Sequence, residues 1–65
     1  MMDAFDFEGE YRTADGVAVE ARYQQETDLF ILSRLSRPTD LRAIAGPAFV
    51  EAVEREKIVP LEADR

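Results

Sequence analysis

Apolar and polar residues alternate with a period of two from Phe5 to Tyr23. Phe5, Phe7, Gly9 and Tyr11 share one parity, with Asp6, Glu8, Glu10 and Arg12 on the other; Val17, Val19, Ala21 and Tyr23 then alternate with Ala18, Glu20, Arg22 and Gln24. Alternation on both sides of an Asp15-Gly16 step predicts two half-buried antiparallel strands joined by a tight turn. Parity also sets the register. A two-residue Asp15-Gly16 loop places Tyr11 opposite Glu20 and mixes the two faces. A three-residue Ala14-Asp15-Gly16 loop places Thr13 opposite Val17, Tyr11 opposite Val19, Gly9 opposite Ala21 and Phe7 opposite Tyr23, so that every apolar residue stays on one side. It also gives Gly16 the left-handed position of a type I turn with a bulge, where a missing Cβ is an advantage. On the outer face this register pairs Glu8 with Arg22 and sets Glu10 against Glu20, a like-charge contact costing roughly a few tenths of a kcal/mol. Arg12 and Arg22 lie diagonally close enough to soften it.

After Glu26-Thr27-Asp28 comes the most apolar run of the chain, Leu29 to Leu35. Its length fits a buried third strand or a short helix, and the strand formers Phe30 and Ile31 after a hairpin favour the strand. The helical alternative uses Thr27 or Asp28 as N-cap and buries Leu29, Leu32 and Leu35. Beyond Arg37-Pro38 the spacing turns helical: Thr39 caps a short helix through Ala45, with Leu41, Ile44 and Ala45 on one face. Gly46 ends that helix and Pro47 opens a longer one through Lys57, with Phe49, Val50 and Val53 apolar, Glu51 four residues before Arg55, and basic residues in the last turn. Ile58, Val59, Pro60 and Leu61 leave it extended, packing back on the sheet. The predicted order is β-β-β-α-α, a single small α+β domain over residues 1–65. Its C-terminal helices pack on one face of a three-stranded sheet, and residues 1–4 and 62–65 fray.

Size then constrains stability. A chain of 65 residues buries barely enough surface to offset its ordering entropy, roughly 1.5 kcal/mol per residue, so packing, self-association or a standing complex must contribute. Cys and His are absent, which removes disulfides, thiolate metal sites, thiol nucleophiles and the usual neutral-pH acid and base. No nucleophile elbow, Gly-rich phosphate loop, calcium loop or metal-ligand spacing occurs. Paired acids such as Glu51 with Glu54 or Glu8 with Glu10 follow from helix spacing and strand alternation alone. The expectation is therefore a non-enzymatic protein without metal or cofactor. The start of the chain lacks the basic residues and apolar core of a signal peptide, and no apolar run approaches the roughly 18 residues of a membrane span, so a soluble, cytoplasmic protein is expected.

Charge is spread unevenly. The net charge of −6 divides into −6 over residues 1–28, +2 over 29–50 and −2 over 51–65. Three surfaces follow. An apolar contact for a protein partner, or for a second copy in a homodimer, draws on Leu29, Phe30, Ile31, Leu32 and Leu35, or on the helix residues Phe49, Val50 and Val53. An acidic hairpin face of Asp6, Glu8, Glu10 and Glu20 orients such a partner, mimics a nucleic-acid backbone toward a nucleic-acid-binding protein, or simply keeps the protein soluble. An anion-binding spot draws on Arg34, Arg37, Thr39 and Arg42 at a helix N-terminus; direct nucleic-acid binding is disfavoured by the net charge and by the absence of aromatics among these arginines. The leading functional expectation is a small acidic interaction module that self-associates or docks as an accessory subunit on a larger protein.

Overall fold

The computed structural model describes residues 3–63. Strands β1 (Gly9–Arg12), β2 (Ala18–Gln24), β3 (Leu29–Arg34) and β4 (Arg37–Ala45) follow one another, then helix α1 (Gly46–Glu54) and the short strand β5 (Val59–Pro60). All neighbouring strands are antiparallel, in the order β4-β3-β2-β1-β5. Among the described residues no helix is long and apolar enough to cross a membrane.

The hairpin has the register that parity implies. Gly9 faces Ala21, Tyr11 faces Val19 and Glu10 faces Glu20, while the Thr13 amide donates to the Val17 carbonyl at 2.9 Å and the Gly16 amide to the Thr13 carbonyl at 2.9 Å. Gly16 has φ +85°, the left-handed conformation a Cβ disfavours. The Leu29 to Leu35 run supplies β3, with Phe30 and Leu32 buried on the inner face and Leu29 and Ile31 half-buried on the outer one. Leu35 itself lies in the turn and is exposed.

Three sequence expectations are corrected. Residues 39–45, expected as a capped helix, belong to β4, so the described residues form one α-helix over a five-stranded sheet. Leu41, Ile44 and Ala45 suit either period, and what decides is β3, whose edge pairs Leu29 with Ala45, Phe30 with Ile44 and Ile31 with Ala43. Thr39 caps nothing and sits in an irregularity where the pairing jumps from Ser33–Leu41 to Arg34–Arg37. Second, Phe5 and Phe7 do not extend β1. Ala4–Phe7 is a 3-10 turn closed by a capping box, the Phe5 amide donating to Asp3 Oδ1 and the Asp3 amide to Asp6 Oδ2, so neither the Phe7–Tyr23 nor the Glu8–Arg22 pairing forms in a ladder. Third, α1 stops at Glu54 and has no basic residue in its last turn. The Glu56 and Lys57 amides bond back to the Val53 and Ala52 carbonyls, a terminating motif that puts Glu56 at φ +61°. The expected return of the tail to the sheet does occur: Val59 and Pro60 pair with Arg12 and Tyr11. Of the termini expected to fray, Asp3, Ala4, Glu62 and Ala63 are built into the two 3-10 turns; Met1, Met2, Asp64 and Arg65 lie outside the described residues.

Helix α1 crosses the inner face through Phe49. Its ring stacks on Phe30 with centroids 4.2 Å apart and meets Tyr11 edge-on at 5.3 Å, and Phe30 and Phe49 are wholly buried. Phe7, Val19, Ala21, Leu32 and Ile58 complete the core. Burial raises the Tyr11 phenol above its ordinary pKa, and its hydroxyl donates to the Phe7 carbonyl at 2.6 Å, tying the 3-10 turn to the sheet.

Candidate functional site

The two edges of the sheet are unlike. The β5 edge is two residues long and ends in Pro60, a short, proline-blunted form that resists further pairing. The β4 edge is nine residues long and exposed everywhere except at the half-buried Ile44. Pro38, Thr39 and Asp40 fall in its irregular part, leaving Leu41–Ala45 as regular strand.

The backbone direction along that stretch follows from one hydrogen bond. The Gly46 amide donates to the Asp28 carbonyl at 2.8 Å, on the same diagonal as the Phe30–Ile44 and Leu32–Arg42 pairs. Bonded and non-bonded pairs alternate in an antiparallel ladder, so Ile44 and Arg42 turn their peptide groups toward β3, while Leu41, Ala43 and Ala45 turn theirs outward. On the outer face beside this edge Leu41, Ala43 and Ala45 sit across from Ser33, Ile31 and Leu29, an apolar strip in which Leu41 is 61% exposed. Of the apolar residues singled out in the sequence, Phe30, Leu32 and Phe49 are core, Val50 and Val53 pack against the core, and Leu29, Ile31 and Leu35 retain surface. Leu41 and the β4 edge were hidden because helical spacing masked the strand.

The acidic residues separate. Asp6 closes the capping box, and Glu8 accepts the Tyr23 amide. Glu10 and Glu20 stand opposite each other on the outer face, and Arg22 reaches Glu20 at 3.5 Å with both side chains largely in solvent, a pair of little energetic weight.

The arginines separate as well. Arg34 and Arg42 lie on the inner face, opposite Val19 and Leu32, and with Asp40 and Thr13 they rim a concavity of about 70 Å³ floored by Val17, Val19 and Leu32. Arg37 and Thr39 are exposed and line neither this concavity nor the second one. Arg34 lies 3.6 Å from Asp40. At the nearby turn the Thr13 hydroxyl donates to Asp15 Oδ1. That bond is the main reason the Asp15 carboxyl is held below its usual range, with the Arg42 and Arg34 charges adding to it. A second, wider groove of about 540 Å³ runs between the first 3-10 turn and α1, with Asp3, Asp28, Glu51 and Glu54 above Phe7 and Val50. Among the described residues no group of three or more acidic side chains is placed to hold a metal ion.

No protein-family model matches the chain, and neither a curated protein nor a solved structure matches it significantly.

Proposed function

We propose that the protein is a non-enzymatic protein–protein interaction module that works as a homodimer, formed by antiparallel pairing of β4 with β4 of a second copy. The observation that carries this reading is the open β4 edge, whose outward peptide groups at Leu41, Ala43 and Ala45 have no strand beside them among the described residues. Such an edge is a ready template for another strand.

The occupant and the register follow from the residues. Pro38 and the irregularity through Asp40 obstruct the first half of the edge, which confines pairing to Leu41–Ala45. A two-fold axis at Ala43 then sets Ala43 against Ala43 and Leu41 against Ala45, so each outward residue both donates and accepts a backbone bond. It places Arg42 opposite Ile44, whereas an axis at Arg42 brings two guanidiniums together at a cost. The apolar outer strips of the two copies become continuous, with Leu41 beside Ala45 and Leu29 of the other copy. The segment around β4 is also the one positive part of a chain of net charge −6, so two acidic molecules meet where their repulsion is least. Dimerisation supplies the burial that a 65-residue chain lacks by itself.

Sedimentation equilibrium over a wide concentration range tests this. The native chain is expected to show a dimer mass, and Ala43→Pro a monomer mass with an unchanged far-UV spectrum, because the Ala43 amide points away from β3 and its loss removes only the intermolecular donor. A native chain that stays monomeric at the highest concentrations overturns the proposal.

A further inference from the structure

We propose a binding site for a compact phosphate group on the inner face of the sheet, between the β1–β2 turn and the irregular part of β4, with Arg42 and Arg34 as its ligands. It rests on observations separate from the edge pairing. Helix α1 covers the half of the inner face around Phe30 and Tyr11, and the other half is left as the concavity rimmed by the two arginines.

Three features argue for an oxyanion there. The ladder brings both guanidiniums to one face, Arg34 from the row of Val19 and Arg42 from the row of Leu32, although seven residues lie between them in the chain. Their satisfaction is unequal: Arg34 has Asp40 at 3.6 Å, whereas the Arg42 side chain forms no ion pair or hydrogen bond among the described residues. Its planar fork, which feels the Asp15 charge without bonding to it, has the geometry to grip two oxygens of one anion. The floor side chains of Val17, Val19 and Leu32 are apolar and offer no acceptor that competes with the anion for the guanidiniums.

Size and charge define the ligand. About 70 Å³ falls far short of the several hundred cubic ångströms that drug-sized ligands fill, so the site takes a single phosphate group, free or terminal on a small molecule. The lining side chains carry two positive charges against Asp40, and the Asp15 carboxylate at the adjacent turn also feels both guanidiniums, so the site suits a small anion able to compete with two carboxylates. Asp40 therefore acts as the internal competitor that holds Arg34 until an external anion takes its place. A polyanion is not favoured, because the surrounding protein is acidic.

A titration of the amide and guanidinium NMR signals with inorganic phosphate, at ionic strength held constant with chloride, reads the site directly. Saturable shifts are expected at the Arg42 and Arg34 Nε–H groups and the Val17 amide. Arg42→Gln should weaken binding about tenfold or more, the loss of one charge-assisted bond. Asp40→Asn should tighten it by freeing Arg34. Arg22→Gln removes the same charge from the outer face of the sheet, where Arg22 sits opposite Ile31, and should leave the affinity within about twofold, since only long-range, screened attraction is lost. Glycerol phosphate in a parallel titration separates the sources: tighter binding than inorganic phosphate assigns the terminal group of a small molecule, weaker binding the free ion. Shifts that never saturate, or equal weakening by Arg22→Gln and Arg42→Gln, would show only diffuse charge or arginine stems shielding the apolar floor, and either result overturns the site.

Discussion

The Glu8 carboxylate accepts the Tyr23 amide at 2.8 Å, at the ladder position where strand parity sets Phe7. The chain leaves the sheet one residue before Gly9 to enter the 3-10 turn, and the Glu8 side chain satisfies the donor that a continuing β1 backbone otherwise takes. An exposed bond of this kind contributes about 0.5–1.5 kcal/mol. Glu8→Ala is expected to lose that much in urea unfolding and to speed hydrogen exchange at the Tyr23 amide, while Glu8→Gln, which keeps an acceptor oxygen, loses less. Unchanged exchange at Tyr23 in Glu8→Ala would rule this role out.

Gly46 is required by a close approach. A Cβ there meets Asp28 Oδ1 at 2.6 Å and the Asp28 carbonyl oxygen at 3.2 Å, and Asp28 Oδ1 also accepts the Tyr23 hydroxyl at 2.6 Å. Gly46→Ala should therefore displace the Asp28 carboxylate and lose about 1–3 kcal/mol. The same change is visible by titration. The bond to Asp28, followed by desolvation and the Asp28 and Asp3 charges, raises the Tyr23 phenol above its ordinary pKa. A raised phenol pKa stabilises the fold below about pH 10, and that contribution is lost as pH climbs through the folded value. In Gly46→Ala the Tyr23 absorbance titration is expected to move back toward ordinary tyrosine; a curve identical to the native one contradicts the account.

At the hairpin turn, the Thr13 hydroxyl bond holds the Asp15 carboxyl low. The sign is that of a depressed acid: its stabilisation is present above the ordinary carboxylate range and disappears as pH falls through the lowered folded value. Thr13→Val should return Asp15 toward the ordinary range in a carboxylate NMR titration. The stability gap between the native protein and the variant should also narrow in acid. A gap independent of pH would assign the loss to strand packing instead.

Glu56 ends α1 in the left-handed region, at φ +61°, in a motif that glycine usually fills. Glu56→Gly is expected to raise stability by about 0.5–1 kcal/mol, relief of a left-handed penalty of roughly 1–2 kcal/mol less the entropy of the added glycine. A lower urea midpoint would contradict this.

Phe49 is the single helix side chain that holds α1 on the sheet by ring contacts, with Phe30 and Tyr11 on either side. Phe49→Ala should cost about 3–5 kcal/mol, comparable with the whole stability of so small a domain, and leave the chain unfolded by near-UV circular dichroism. Phe49→Leu should stay folded with a lowered midpoint; full stability in Phe49→Ala would remove Phe49 from the core.

Strand parity was readable wherever the two faces differ in polarity. From Gly9 to Arg22 a shift of one residue exchanges Tyr11, Val19 and Ala21 for the charged Arg12, Glu20 and Arg22, so the loop length and the Tyr11–Val19 pairing follow from local pattern. The Leu29 to Leu35 run was legible as a strand for a similar reason, its β-formers lying directly after a hairpin. Pro47 marked the start of α1.

Where local pattern permits two answers, distant partners decided. Leu41, Ile44 and Ala45 satisfy a helical stripe, yet Leu41, Ala43 and Ala45 also satisfy a strand face, and the open edge of β3 selected the strand because it offered backbone partners that an isolated short helix has no way to match. Phe5 and Phe7 carry strand parity, yet the Asp3 and Asp6 capping box, which depends on chain geometry rather than periodicity, turned them out of the ladder. Both surfaces assigned to function arise from the first of these choices. A helix over residues 39–45 has no free sheet edge and turns Arg42 away from Arg34; as a strand, the same residues become the long open edge and set the two guanidiniums side by side over Val19 and Leu32.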